Sequence, residues 1–286
     1  MNKTSSPLRY PGGKTSMLPL LANILRMNDL QHRAYAEPYA GGCGLALSLL
    51  YGAHVSEIHI NDVDPSIWSF WHSVLFEPDD LCARINHAEM TIDEWRRQRE
   101  IYLAQDQSDP VALGFAAFYL NRTNRSGIIK GAGVIGGISQ SGNYKMDCRF
   151  NKEDLVRRIR RVNKYKRRIH LYRLDAIFFI AQAQEILPEK TFFCIDPPYF
   201  NKGSSLYTSF YNPDDHAQLA RAVMNLQKPW IVTYDDTTEI RALYEQMRRY
   251  SFDVNYSVQT KRVGTELLIA SDTLHVPIEL AHRKVA

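Results

Sequence analysis

The chain has 286 residues, 45% of them hydrophobic, and a formal net charge of +4. That is enough to bury a full α/β core carrying a sizeable insertion, and no uninterrupted apolar run approaches the roughly 18 residues of a membrane span. Met1 to Pro11 lacks the apolar region of a signal peptide, and Cys43, Cys82, Cys148 and Cys194 form no Cys-x-x-Cys pair, so neither a disulfide framework nor a cysteine zinc site is expected and the expected setting is a reducing cytoplasm.

In chain order, strands are expected at Ala34 to Tyr39, Glu57 to Asn61, Ile169 to Leu174, Thr191 to Ile195, Pro229 to Tyr234, Phe252 to Val258 and Leu267 to Ser271. Helical patterns separate several of them, which implies crossover connections and a mainly parallel sheet. More than a hundred residues lie between the second and third strands, far too many for a loop. The expected division is therefore a body of residues 1–70 and 168–286 with an inserted subdomain, 71–167. Within the insertion Trp95 to Gln105 and Val111 to Leu120 read as helices, and Asn121 to Phe150, with six glycines, as a loop or hairpin.

The small net charge hides a split. From Asn121 to Arg173 there are 15 Lys and Arg against Asp147, Glu153 and Asp154, so the rest of the chain is net acidic. A basic insertion on an acidic body is expected where one segment faces polyanionic phosphate. The densest stretch, Arg157 to Arg168, also keeps Leu155, Ile159 and Val162 at helical spacing, so a helix there would bury one side and present Arg157, Arg158, Arg160 and Arg161 on the other.

The ends of the expected strands carry the chemistry. Asp196-Pro197-Pro198-Tyr199 follows the apolar run Thr191 to Ile195, at the place where an open α/β sheet keeps its ligands. Two prolines stop the chain from continuing into a helix or a paired strand, leaving a stiff turn with a carboxylate, a proline carbonyl and an aromatic face. That set suits a planar group with an exocyclic amine, such as a nucleobase. The first strand ends in Glu37-Pro38-Tyr39, and Gly41, Gly42 and Gly44 after it let the backbone turn tightly beside a ligand. Asp62, at the end of the second strand, is placed to accept hydrogen bonds from ribose hydroxyls. Asp175, at the end of the third, suits either a ligand contact or the N-cap of a helix beginning at Ala176. Two look-alikes fail on context: Gly131 to Gly136 spells a dinucleotide fingerprint without the helix that must follow, and Gly13-Lys14-Thr15 has Leu8 where a P-loop needs its first glycine.

Together with Arg9-Tyr10-Pro11-Gly12-Gly13-Lys14 near the N-terminus, this order of motifs resembles the Dam-like DNA adenine-N6 methyltransferases, the alpha group of amino-methyltransferases, over nearly the whole chain up to Glu266-Leu267-Leu268-Ile269. The resemblance implies a Rossmann-like α/β methyltransferase fold with an inserted DNA-recognition subdomain, S-adenosylmethionine as cofactor and double-stranded DNA as partner. It implies cofactor binding by Tyr10, Lys14, Glu37, Pro38, Tyr39, Gly41, Asp62, Asp175 and Asp196, and catalysis by Asp196, Pro197, Pro198 and Tyr199, with Tyr199 stacking on a flipped adenine. Leu120-Asn121-Arg122 matches the start of the family's recognition hairpin, so DNA contacts are expected from Arg9, Arg122, Asn124, Arg125 and Lys130, and phosphate contacts from Arg157, Arg158 and Arg161. Solvation or phosphate binding is the alternative for Arg122 and Arg125. Cys43 departs from the family's pattern, standing where a second glycine is usual. The chemistry needs no metal, because the sulfonium is already an activated leaving group, and no cysteine follows a proline as carbon-5 cytosine methylation would require. RNA adenine-N6 methylation, DNA cytosine-N4 methylation and a non-enzymatic DNA-binding regulator are the competing readings. A companion restriction endonuclease is a partner such an enzyme can have.

Overall fold

The computed structural model describes residues 5–9, 13–200, 211–256 and 262–277. Seven strands, β1 (Ala34–Glu37), β2 (Glu57–Asn61), β3 (Ile169–Tyr172), β4 (Phe192–Ile195), β5 (Trp230–Asp235), β6 (Arg248–Tyr256) and β7 (Arg262–Ala270), form one sheet in the order β3-β2-β1-β4-β5-β7-β6. All seven expected strands are present, β6 and β7 beginning earlier than periodicity suggested. β1 pairs in parallel with β2 and β4, β2 with β3, and β4 with β5, whereas β7 runs antiparallel to both β5 and β6.

Among the described residues the α-helices are α1 (Leu18–Met27), α2 (Gly44–Tyr51), α3 (Pro65–Phe76), α4 (Pro78–His87), α5 (Ile92–Ala104), α6 (Pro110–Thr123), α7 (Lys152–Lys164), α8 (Ala176–Ile186), α9 (Pro213–Met224) and α10 (Thr238–Leu243). β1 and β4 are buried along their whole length, which is why β4 reads as an unbroken apolar run and β1 as one broken only by Glu37 at its end. Their side chains still alternate between two cores: Tyr35, Phe192 and Cys194 join the cluster under α1 to α7, while Ala36, Phe193 and Ile195 join the cluster under α8 to α10.

The insertion is not cored separately. Leu81, Ile85, Trp95, Phe115, Phe118 and Ile159 belong to the same cluster as Leu21, Ile24 and Ile58 from the sheet side. α6 is buried from Leu113 to Thr123 because it runs along α3, and Gly114 makes that approach possible: a Cβ there would lie 2.7 Å from the Phe70 nitrogen and the Ser69 carbonyl. Between α6 and α7 the glycine-rich segment forms short turns, with a single antiparallel bridge between Asn124 and Val134 in place of an extended hairpin.

Candidate active site

Strand order diverges on either side of β1 and β4, and the crevice at the carboxyl ends of such a pair is where a doubly wound sheet binds ligands. β1 delivers Glu37-Pro38-Tyr39 to that rim, β2 delivers Asp62, β3 delivers Asp175 and β4 delivers Asp196. The rim is stapled by Asn61, fully buried, whose Nδ2 donates to the carbonyls of Pro38 and Leu174, 3.0 Å each, and whose Oδ1 accepts from Leu174 N at 2.8 Å. Asn61 thereby fixes the ends of β1 and β3 relative to β2.

The turn after β1 is held from two sides. Gly41 has φ 44°, its N–H donates to Asp62 Oδ2 at 2.8 Å, and its carbonyl accepts from Trp71 Nε1 at 2.9 Å. Asp62 Oδ1 also accepts from Asp64 N, 3.0 Å away, while Asp64 itself is committed to capping α3 through Ser66 and Ile67. Burial and the Asp64 charge push the Asp62 carboxyl up to about 7. Cys43 lies in the left-handed region at φ 51°, so the glycine usual at this position has a backbone reason, and Cys43 carries a strain of roughly 1–2 kcal/mol. Gly44 answers a different demand, since a Cβ there would meet Thr15 Oγ1 at 2.5 Å.

Beside the turn, Glu37 accepts from the Tyr35 hydroxyl at 2.8 Å and is 7% exposed, and burial pushes its carboxyl up to about 8. Asp175 caps α8, accepting from Ile177 N and Phe178 N through Oδ1. The cap is the role the structure displays for it. Tyr39 pairs its hydroxyl with that of Tyr211, 2.8 Å away. Tyr10 lies outside the described residues.

Asp196 is the most exposed residue of its turn, with 24% of its side chain accessible between buried Ile195 and buried Pro197, Pro198 and Tyr199. Lys14 Nζ approaches Asp196 Oδ1 at 3.2 Å, Glu266 Oε2 at 3.0 Å and the Tyr199 hydroxyl at 2.6 Å. Thr233 Oγ1 donates to the same Asp196 oxygen at 2.7 Å, and the Tyr199 hydroxyl donates to Glu266. Phe200 N is anchored on Asp235 Oδ1 at 2.9 Å. Burial works against the Lys14 charge, but Asp196 and Glu266 outweigh it and hold the ammonium above its ordinary value; burial pushes Asp196 up while Lys14 opposes that rise.

Glu266 and Thr233 were not singled out from sequence. They reach the rim because antiparallel β7 sets Glu266 opposite Asp235, at the carboxyl end of β5. Tyr199 was expected to offer its ring to a base, yet it is 4% exposed with its hydroxyl engaged, so stacking requires a face of the ring to be uncovered.

The residues expected on the DNA side divide sharply. Arg122 is corrected from a DNA contact to an interior residue: it is 6% exposed, donates to the Pro7 carbonyl, and burial followed by the Arg158 and Arg9 charges lowers it to about 9. Asn124 is likewise interior, 1% exposed, accepting from Trp95 Nε1 at 2.7 Å and donating to the carbonyls of Ile128 and Ile129. Asn121 holds Arg9 by both backbone groups and also binds the Gly127 carbonyl. Arg125 and Lys130 are exposed, Arg9 is half-buried, and exposed Arg149 lies close enough to lower Arg9, after burial itself.

The arginines of α7 are placed differently. Arg157 pairs with Asp154, and Arg158 pairs with Asp154 and donates to the Ser6 carbonyl at 3.1 Å. Arg160 pairs with Asp79 at 2.6 Å. Arg161 lies over the ring of Tyr51, 4.0 Å from its centre. Tyr51 ends α2, which leaves the carboxyl rim and returns toward the start of β2, so Arg161 sits at the end of the sheet opposite Asp196. Arg157, Arg158 and Arg161 are expected to meet phosphate; their partners in the structure include Asp154, the Ser6 carbonyl and the Tyr51 ring, on a helix that runs toward the start of β3.

A doubly wound sheet with a glycine turn, acidic strand ends and an acidic-proline turn at its switch point defines the class of S-adenosylmethionine-dependent methyltransferases. The donor set fits that cofactor: the tight turn at Gly41 permits close approach, and the acidic oxygens of Glu37, Asp62 and Asp196 at the strand ends suit hydrogen bonds to a ribose diol and an amine. The chain matches the D12 class N6 adenine-specific DNA methyltransferases over residues 10–258 and belongs to that family. No curated protein matches it in sequence. Among solved structures it is similar to a putative RNA methyltransferase, PH1948 from Pyrococcus horikoshii, with 11% identity, 92% of this chain and 84% of that one covered and a TM-score of 0.41. It is similar also to the rRNA methyltransferase aviRa from Streptomyces viridochromogenes, with 12% identity, coverage of 92% and 86% and a TM-score of 0.39. The protein is thus an S-adenosylmethionine-dependent adenine DNA methyltransferase by family.

Proposed function

We propose that the protein methylates the N6 amine of adenine at specific sites in duplex DNA, receiving the base at Asp196 after it has left the helix. The observation that carries this reading is the asymmetry of the Asp196 carboxylate. Lys14 and Thr233 both bind Oδ1, and Oδ2 has no partner among the described residues. Oδ2 and the Pro197 carbonyl are then the acceptors for the two amine hydrogens. An adenine amine is a poor nucleophile because its lone pair is conjugated with the ring, and accepting both hydrogens favours a tetrahedral nitrogen whose lone pair is directed outward. S-adenosylmethionine supplies the methyl group on a sulfonium. Glu37, Asp62 and the Gly41 turn hold it on the β1 and β2 side of the crevice, Lys14 fixes the Asp196 rotamer, and the buried prolines exclude water from the reacting face. After methyl transfer the surplus N6 proton passes to Asp196 Oδ2, its hydrogen-bond acceptor, and from that partly accessible carboxylate to solvent. A base paired in a duplex does not expose this nitrogen, so extrusion is required, at a cost of a few kcal/mol offset within the pocket.

The DNA face that this geometry supports is Arg9, Arg125 and Lys130, joined by Arg149, all near the N-terminal segment and the turns after α6. Arg9 and Lys130 suit guanine O6 and N7, so a guanine-containing site is the expected target. The test is methyl incorporation into duplex DNA, single-stranded DNA and RNA by wild type and Asp196→Ala. Incorporation at adenine N6 in duplex DNA, lost in Asp196→Ala with DNA binding retained, is the expected result. Preference for RNA, or turnover by the variant at the wild-type rate, overturns the reading.

A further inference from the structure

A cluster away from the rim has the chemistry of a cation site. Glu57 opens β2, His59 is two residues on and therefore on the same face, and parallel register sets His59 beside His170 on β3. The ligating atoms of the three side chains all lie within 4.8 Å of one another. His170 Nε2 is 2.8 Å from Glu57 Oε2, and His59 Nε2 is 3.7 Å from Glu57 Oε1. Tetrahedral zinc bound at about 2.0–2.1 Å sets its ligand atoms about 3.3 Å apart, between those two separations.

A second feature points the same way. His59 is 4% exposed, and its Nε2 has no hydrogen-bond partner, although buried polar nitrogens are almost always satisfied. Its Nδ1 lies 3.1 Å from the Tyr172 hydroxyl. A proton on Nδ1 donated to Tyr172 leaves the lone pair on Nε2, directed at Glu57, which is the arrangement by which an outer hydrogen bond orients a metal-binding imidazole. The two rings are stacked, 4.3 Å apart and 11° from parallel, so one ion cannot lie in both planes as they stand. His170 can turn to meet it: its side chain is 39% exposed and belongs to the edge strand of the sheet. Glu57, 34% exposed, leaves an entry path.

We propose that Glu57, His59 and His170 bind one divalent transition-metal ion of the zinc class, with a water-accessible fourth position, and that the ion clamps edge strand β3 to β2. Two imidazoles and one carboxylate are borderline ligands that suit Zn2+ and Co2+ and disfavour Mg2+ and Ca2+. Because only the folded chain brings the three together, binding adds to stability.

The full-length protein, stripped with a chelator, is titrated with Zn2+ by calorimetry and with Co2+ by visible absorption. One ion per chain, a rise in melting temperature with Zn2+ but not Mg2+, and the intense visible band of tetrahedral Co2+ are expected. Glu57→Gln, close in shape and partly exposed, should lose at least about tenfold in Zn2+ affinity, and Tyr172→Phe about 10–100-fold through the lost outer hydrogen bond. His87→Ala, an exposed histidine elsewhere, should leave affinity unchanged. Zn2+ binding that survives equally in Glu57→Gln and His170→Ala, or folded wild-type protein that takes up no ion, overturns the proposal.

Discussion

Lys14 is the residue on which the rim turns. It is buried with two carboxylates and a phenol around it, and a buried ammonium is tolerated only when its partners stay in place. Removing Glu266 leaves that ammonium with Asp196 as its remaining carboxylate partner and takes away the acceptor to which the Tyr199 hydroxyl donates. Glu266→Ala is expected to destabilise by about 3–5 kcal/mol, with the methyl-transfer rate falling more than cofactor affinity does. Urea denaturation and single-turnover kinetics check both parts. Tyr199→Phe, which keeps the ring, should also slow transfer; a fully active Tyr199→Phe enzyme would show that the hydroxyl is dispensable and only the ring matters.

The Glu37 carboxyl makes a separate, pH-dependent demand. Its folded-state value is raised from 4.5 to about 8, so the folded state holds a proton that the unfolded chain releases above pH 4.5. The resulting stability is present below that pH and is lost progressively as pH rises through about 8. Asp62, raised to about 7, adds loss of the same sign. Glu37→Gln should therefore raise the melting temperature of the cofactor-free protein at pH 9 and change it little at pH 5. A melting series across that interval is the measurement, and equal effects at both ends would mean that Glu37 is ionised throughout.

At the level of elements, α3 and α6 are joined where Gly114 lets one backbone ride on the other. Gly114→Ala places a methyl 2.7 Å from the Ser69 carbonyl and the Phe70 nitrogen, atoms that cannot swing aside as a side-chain tip would. Overpacking of this kind costs typically 1–3 kcal/mol, and here it should exceed the gain that alanine normally brings to a helix interior. An increase in urea midpoint for Gly114→Ala would show that the two helices part easily. The end of α6 is spent on support: Asn121 holds both backbone groups of Arg9, Arg122 the Pro7 carbonyl, and Asn124, just past the helix, binds Trp95 and the carbonyls of Ile128 and Ile129, while Arg158 of α7 holds the Ser6 carbonyl.

At the scale of the molecule, the described basic residues of the insertion fall in two groups: Arg125, Lys130 and Arg149 on the turns beside Arg9, and Arg161 over Tyr51 at the end of α2. If DNA docks on the rim, Arg125→Ala and Arg149→Ala should each reduce the slope of log affinity against log salt by about one, and Arg161→Ala should leave it unchanged. Fluorescence anisotropy over a salt series measures this. A slope changed by Arg161→Ala and not by Arg149→Ala would place the duplex across the opposite end of the sheet.

The sequence by itself determined the seven strands, the mainly parallel order and the rim motifs, because each rests on a short-range rule: apolar runs for buried strands, glycines where the chain turns back, acidic residues at strand ends. It determined the family through the order of those motifs. Tertiary structure decided which of the named groups meet and which are spent on support. Glu266 joins Lys14 across 252 residues through an antiparallel strand, and no local pattern announces such a pairing. Arg122, Asn124 and the arginines of α7 carry the composition of a DNA surface, but whether a basic side chain faces phosphate, a carbonyl or an aspartate depends on the direction its helix takes across the sheet. That direction is set by packing of α6 and α7 against α3, a long-range choice governed by buried volume and the absent Cβ of Gly114.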